Sequence, residues 1–354
     1  MKVAIILKVI LTIVLSLTVL TAFIAIGQLS DLATAPFKEL IEYYYPEDFD
    51  DPDALLYIAY PSEDETEPED CDIEDDNIIE DEFIDPGYVL IRMAYADIAR
   101  GSLILINHDY AFVFPDRDNN DLVNITNYIT DSVLLRNDQT ILSSYIIPHL
   151  NEMMDAFHDH TGITNVIIRD AFRSLSGQQQ IFDTMVRRWG RTGALGWAAL
   201  PGHSEHHTGF AIDFGVRRAG NIEMFDGTGA FSWIPRNSHN FGFILRYPQN
   251  RTSITRTNFE PWHYRFVGIP HAAIMRANNW VLEEYIENIR GYTYEEPLLF
   301  TFNDIEYMIY FTTDLEIRLP YDVEFTISGN NIDGFIVTIW ENPHRIETEI
   351  VEEV

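Results

Sequence analysis

His206 and Asp213, seven positions apart with Gly209 between them, are the residues whose types and spacing most directly suggest chemistry. Imidazole nitrogen and carboxylate oxygen are two of the three ligand types that zinc accepts. Further on, Glu260-Pro261-Trp262-His263 offers a carboxylate and, three positions later, a third candidate ligand. Two histidines and one carboxylate leave a tetrahedral zinc one open position, which is the arrangement of a catalytic site rather than a structural one. The single cysteine, Cys71, allows neither an intrachain disulfide nor a Cys-rich zinc knuckle. A metal site therefore has to be built from His, Asp and Glu.

The elements that would position these groups follow from apolar periodicity. Ile146, Leu150, Met153, Met154 and Phe157 share a helical face, and Gly162 stops that helix. Val166-Ile167-Ile168 reads as a buried strand running into Asp170-Ala171-Phe172-Arg173-Ser174. A second helix follows, with Ile181, Phe182, Met185, Val186 and Trp189 on one side. Arg173 thus stands at a strand-to-helix junction. After Gly209, Phe210–Phe214 reads as a strand, so His206 and Asp213 bracket a loop and the strand that follows it. Phe241–Tyr247 and Phe259–Phe266 are further strand candidates, the second interrupted by Pro261. Residues three apart in a regular strand face opposite sides. Glu260 and His263 can share a site only if the backbone bulges there or the metal sits at the strand end. Val89–Met93 and Leu103–Ile106 read as strands ahead of this region, and Pro270 opens a helix to about Ile289.

Beyond Gly291 the pattern changes to alternation, through Ile305–Phe311, Leu315–Leu319, Val323–Ile327 and Phe335–Ile339, with turns at Ser328–Asn331 and Asp333-Gly334. This predicts a small antiparallel β module of three or four strands with no catalytic group of its own. It pads the main domain, meets a partner or holds wall polymer. Asp116–Asp121 lacks the glycine and closing glutamate of a calcium loop and reads as a polar turn. His149, His158 and His160 are read as surface or capping groups.

The N-terminus differs from the rest. Val9–Ile26 is an uncharged apolar run of 18 residues, ~27 Å long as a helix and close to the ~30 Å hydrocarbon core of a bilayer. Lys2 and Lys8 precede it and acids follow, which places the C-terminal bulk outside the cytoplasm. A single-pass anchor at the cell membrane is expected from residues 1–28. The alternative is a secreted protein released by signal cleavage. Glu47–Asp85 holds about a third of the chain's acids, and residues 29–86 read as a disordered acidic stalk. Cys71 lies within it without a catalytic partner. The net charge of −33 (23 basic against 56 acidic residues) argues against nucleic acid as a partner. No protein partner is inferable.

Taken together, three motifs carry a resemblance. Ser204-x-His206-x-x-Gly209-x-Ala211-x-Asp213, Glu260-x-Trp262-His263 and Phe172-Arg173-Ser174-x-x-x-Gln178 resemble segments of the zinc D-alanyl-D-alanine carboxypeptidases of the vancomycin-resistance VanY type, LAS-type metallopeptidases. Gly242-Phe243-x-x-Arg246-Tyr247-Pro248 and Val267-Gly268 agree as well. The match covers roughly residues 135–290, within a domain expected over 87–290, with the β module over 291–354. Ala171-Phe172 replaces the more usual Gly-Tyr ahead of Arg173, which alters substrate fit without removing a catalytic group.

The resemblance implies an α+β fold in which a small antiparallel sheet with flanking helices carries zinc in a groove. It implies His206, Asp213 and His263 as ligands, Glu260 as general base and Arg173 as the group holding substrate near the scissile carbonyl. Ser174, Gln178 and Ser204 join Arg173 as substrate-binding candidates, although Ser174 and Gln178 could instead cap the helix. His203, His207 and His239 are read as groups behind the ligands or on the surface. The implied activity is removal of the terminal D-alanine from peptidoglycan stem peptides. A stem endopeptidase or a D-Ala-D-Ala dipeptidase on the same site remains open, because pocket shape decides between them. A non-catalytic zinc-containing wall-binding module also remains open, but such a module has no need of Glu260.

Overall fold

The structure, a computed structural model, describes residues 87–115 and 121–341. The apolar N-terminal run, the acidic tract with Cys71, and Asp116–Asn120 of the polar turn lie outside these residues. Among the described residues, no helix is long and apolar enough to cross a membrane. The fold is mixed α+β with several small sheets. In chain order its elements are β1 (Tyr88–Arg92), β2 (Leu122–Asn124), β3 (Leu134–Leu135), β4 (Ile141–Ser143), α1 (Ile147–Thr161), β5 (Val166–Asp170) and α2 (Leu175–Ala194). After these come β6 (Ala211–Arg218), β7 (Asn221–Met224), β8 (Phe243–Leu245), β9 (His263–Phe266), α3 (Ile269–Asn278) and α4 (Leu282–Ile289). The chain closes with β10 (Leu298–Phe302), β11 (Ile305–Thr312), β12 (Glu316–Pro320), β13 (Glu324–Gly329) and β14 (Phe335–Trp340).

The central sheet runs β3-β5-β6-β9-β8, with β7 hydrogen-bonded to β6 off that path. All its pairings are antiparallel except β3 with β5. Val166, Ile167 and Ile168 on β5 are all buried, as are Ala211–Val216 on β6, so both faces of these strands are covered. Helix α1 contributes Ile147, Leu150, Met153, Met154 and Phe157 to the core and ends at Gly162 in the left-handed region (φ 67°), where a residue without Cβ is favoured. Helix α2 starts at Ser174, whose side chain caps it by accepting from the Gly177 amide.

The C-terminal strands form a sheet in the order β10-β11-β14-β13, and its two faces sort by period-two alternation. Tyr307 and Ile309 of β11 and Ile336 of β14 pack with Ile274, Leu282, Tyr285 and Ile289 of α3 and α4, and with Leu103 and Leu105. Tyr310, Phe335, Val337 and Ile339 face the other way, toward Ile317 and Leu319 of β12. Strand β12 pairs with β1, so the segment ahead of the central domain meets the segment after it. A cavity of about 900 Å³ opens beside this pair, lined by Tyr88, Tyr294, Tyr310 and Arg318 among others, and no candidate site residue lines it.

Three expectations are corrected. Leu103–Ile106 is buried but is not a strand. Its backbone is bound by side chains and a turn, with Leu103 N donating to Ser328 Oγ and Leu105 N to Asn330 O. A buried apolar run looks the same from the sequence whether a ladder or such a strap holds it. The helix expected over Pro270–Ile289 is two helices, α3 and α4. Asn279 adopts a left-handed conformation (φ 54°) between them, and Glu284 accepts from Val281 N to start the second. The strand expected over Phe259–Phe266 begins only at His263, after a turn at Pro261-Trp262.

Gly209 closes the loop between the two candidate ligands at φ 73°. A Cβ there would meet Leu122 Cδ2 and come within 2.9 Å of the Ser143 nitrogen. Gly220, also at positive φ (89°), has nothing within 4 Å. Gly209→Ala is therefore expected to destabilise by about 2 kcal/mol or more, and Gly220→Ala by about 1 kcal/mol. Urea unfolding of both variants checks this, and equal losses would contradict it.

Candidate metal centre

Strand register builds the site. Asp213 on β6 lies opposite His263 on β9 and, on its other side, opposite Asp170 on β5, where the register shifts. His206 enters from the 3-10 turn Glu205–Thr208 just ahead of β6. Ser204 caps this turn through its side chain, and the whole turn is buried. His206, Asp213 and His263 each offer a ligand atom, and these atoms all lie within 4.8 Å of one another.

The hydrogen bonds fix which ring nitrogen faces inward. His206 Nδ1 lies 2.5 Å from the Ala171 carbonyl oxygen, which can only accept. Nδ1 therefore carries a proton, and Nε2 faces Asp213 Oδ1 at 3.5 Å. His263 presents Nδ1 to Asp213 Oδ1 at 2.9 Å and Nε2 to Glu205 Oε2 at 3.3 Å. Tetrahedral ligands at ~2.0–2.1 Å from zinc stand roughly 3.3 Å apart, so these separations suit one small cation shared by two nitrogens and an oxygen. The donor set fits zinc and leaves a fourth position. The electrostatics agree. Burial alone would lower the His263 pKa, but Asp213 and Glu205 raise it to about 9, the mark of a place where positive charge is favoured. Burial alone would raise the Asp213 pKa, and His206 and His263 together hold it well below the usual carboxylate range.

Glu260 sits in the turn before β9. Its amide donates to Tyr247 O, and its carbonyl accepts from His263 N. Glu260 and His263 can face one site because only His263 belongs to the strand. Burial pushes the Glu260 carboxyl up to about 8, against the pull of His263, Arg173 and Arg169 and with the help of Asp213. A carboxyl whose pKa lies close to neutral pH can both take up and return a proton there.

Arg173 lies between β5 and α2, with 14% of its side chain exposed. It ion-pairs with Asp170 and donates to Gln178 Oε1 at 2.6 Å. Gln178 is buried behind it and donates onward to Ala199 O. Ser174 caps α2, and Ser204 accepts from His206 N. These three side chains thus brace Arg173, α2 and the turn that carries His206. His207 bridges two backbone segments, with Nδ1 at 2.7 Å from Arg173 O and Nε2 accepting from Gly202 N. Burial lowers its pKa to about 4. His203 meets the Asn107 carbonyl. Phe172 donates its backbone N–H to Ile141 O.

Glu205, Arg265 and Arg169 are buried charged groups that the sequence analysis does not single out. Glu205, 1% exposed, lies against Arg246 and Arg265. Arg169, at the end of the apolar run on β5, reaches toward the Trp262 ring at 6.0 Å. A glutamate directly beside the first candidate ligand and an arginine near the end of a buried strand were the available signals.

The chain matches a family model described as VanY, D-alanyl-D-alanine carboxypeptidase, over residues 139–269, which include all four site residues from His206 to His263. A D-alanyl-D-alanine carboxypeptidase of Enterococcus faecium is 32% identical over 250 residues, 69% of this chain and 76% of that relative. VanXYC of Enterococcus gallinarum, a bifunctional D-Ala-D-Ala dipeptidase and carboxypeptidase, is 33% identical over 146 residues, 40% of this chain and 77% of its own. Among solved structures, the vancomycin-resistance D,D-dipeptidase VanXYg in complex with a D-Ala-D-Ala phosphinate analogue superposes with a TM-score of 0.64. The identity is 31%, over 72% of this chain and 99% of that one.

The raised Glu260 pKa has a consequence for stability. The folded, metal-free protein holds this proton more tightly than the unfolded chain, whose value is near 4.5. The contribution is fully present below about 4.5 and is lost as pH rises toward 8. Glu260→Gln removes this loss, so the metal-free variant should gain on wild type between pH 4.5 and 8 by on the order of 1–3 kcal/mol. Thermal unfolding in chelator at both pH values checks this, and a difference independent of pH would contradict it.

Proposed function

The chain belongs to the VanY family of D-alanyl-D-alanine carboxypeptidases, and from that premise we propose that it hydrolyses the terminal D-alanine from peptidoglycan stem peptides at a zinc site in a groove of its α+β domain. The observation that carries this reading is the buried set His206, Asp213 and His263 with Glu260 in the turn beside it.

A D-alanyl-D-alanine terminus is an amide with a free carboxylate. Zinc held by His206, Asp213 and His263 would polarise the scissile carbonyl and acidify a water. Glu260 takes the proton from the attacking water and returns it to the leaving amine. Arg173, held by Asp170 and Gln178, offers a fork of donors to the substrate carboxylate or to the developing oxyanion. Ser174, Gln178 and Ser204 support these groups from behind. A dipeptidase activity on the same site is the second reading, favoured by the pairing of both activities in the Enterococcus gallinarum relative. A binding module without activity would leave a buried base with the pKa of Glu260 unused.

Residues 1–28 act in this reading as a single-pass anchor that holds the C-terminal domain outside the cell, with residues 29–86 as a stalk. Release by signal cleavage is the alternative. The zinc domain then spans 87–290 and the β module 291–354.

The purified chain should release one D-alanine per pentapeptide ending in D-Ala-D-Ala, and chelator should abolish this. Glu260→Gln should keep zinc and lose about 10²–10⁴-fold in kcat. Chromatography of the products checks both. Cleavage of free D-Ala-D-Ala alone would move the assignment to a dipeptidase. Zinc binding with no hydrolysis of any peptide would contradict the enzyme reading.

A further inference from the structure

We infer that Glu205 is a positioning residue for the metal centre, fixing the His263 ring so that Nδ1 rather than Nε2 joins His206 and Asp213. This rests on the zinc reading above and adds a residue that the three ligands and the base do not include.

The argument starts from the geometry of one buried carboxylate. Glu205 Oε1 accepts from Arg246 Nε at 2.7 Å and ion-pairs with Arg265 Nη1 at 3.1 Å. Oε2 is left for His263 Nε2 at 3.3 Å. Neither guanidinium is free to move. Arg246 gives its other two nitrogens to Glu283 at 2.9 and 2.7 Å. Arg265 Nη2 donates to Ser102 O and Ile104 O. Side-chain exposure is 0% for Glu205, Arg246 and Arg265 and 13% for Glu283. The carboxylate is therefore held in place from the 102–104 strap on one side and from α4 on the other.

A carboxylate only accepts, so Nε2 keeps its proton toward Glu205, and Nδ1, beside the Asp213 carboxylate, is the nitrogen that would give up its proton to a cation shared with Asp213. His206 is fixed the opposite way by the Ala171 carbonyl, leaving Nε2. The two imidazoles thus reach one point through different nitrogens, each chosen by the acceptor behind it. Partners of this kind set the tautomer and ring angle of metal-binding histidines. Stability alone is a weak reason for such a network, since buried ion pairs are often no better than apolar packing. Orientation of His263 gives it a use.

The test is read on the wild-type full-length chain first. With ¹⁵N-labelled histidine and zinc, long-range ¹H–¹⁵N spectra should give His263 a protonated Nε2 and a metal-bound Nδ1. Glu205→Gln should weaken zinc binding about 10–100-fold in competition with a chromogenic chelator, and the His263 nitrogen pattern should become mixed. Should Glu205→Gln fail to fold, Glu283→Gln tests the same chain of contacts one step further out, with a smaller loss of affinity expected. Zinc coordinated through His263 Nε2 in the wild type would overturn the inference alone, as would a folded Glu205→Gln chain with wild-type affinity. A wild-type chain that takes up no zinc would overturn the metal-centre reading as well.

Discussion

The pairing of Asp213 with His263 across β6 and β9 is the constraint on which the rest depends. Side chains alternate along a strand, so a one-residue slip would send one of the two to the opposite face and dismantle the site. The apolar residues around Asp213 oppose such a slip. Ile212 and Phe214 are fully buried, and moving them by one position would carry them off the packing they now fill. Gly209 then turns the chain sharply enough for His206 to meet the same point.

Most of the polar groups near this pairing are buried, which is costly unless each has a partner. The protein supplies the partners in relays. His206 leans on the Ala171 carbonyl, His263 on Glu205, Glu205 on Arg246 and Arg265, and Arg246 on Glu283. Arg173 leans on Asp170 and Gln178. Glu260 is the exception in kind, because its environment disfavours its charge rather than securing it. A cluster that attracts positive charge beside a carboxyl with a raised pKa is what the proposed division between cation binding and proton transfer requires.

How far the sequence revealed this differs by residue. The clustering of His206, Asp213 and His263 was legible because cation-binding chemistry depends on residue type and spacing, both of which a sequence displays. The period-two runs from Ile305 to Ile339 form strands β11–β14 for the same reason, but β12 pairs with β1, and the fourth strand of the C-terminal sheet is β10, ahead of those runs. Leu103–Ile106 was misread because burial without a ladder leaves no separate trace in composition. Pro270–Ile289 was read as continuous because one left-handed Asn279 breaks a helix without disturbing its apolar face. The contact of Glu205 with Arg246 joins positions 41 apart in the chain, and only the packed fold brings them together. Gln178 and Ser204 were read toward the substrate, and the fold shows them accepting hydrogen bonds from Arg173 and His206.

Anomalous diffraction from crystals of the zinc-loaded chain, recorded on either side of the zinc absorption edge, tests the central claim most directly. The account predicts one anomalous peak per chain, within coordination distance of His206, Asp213 and His263 and with no fourth protein ligand. A peak at another place, or none between these three residues, would contradict it.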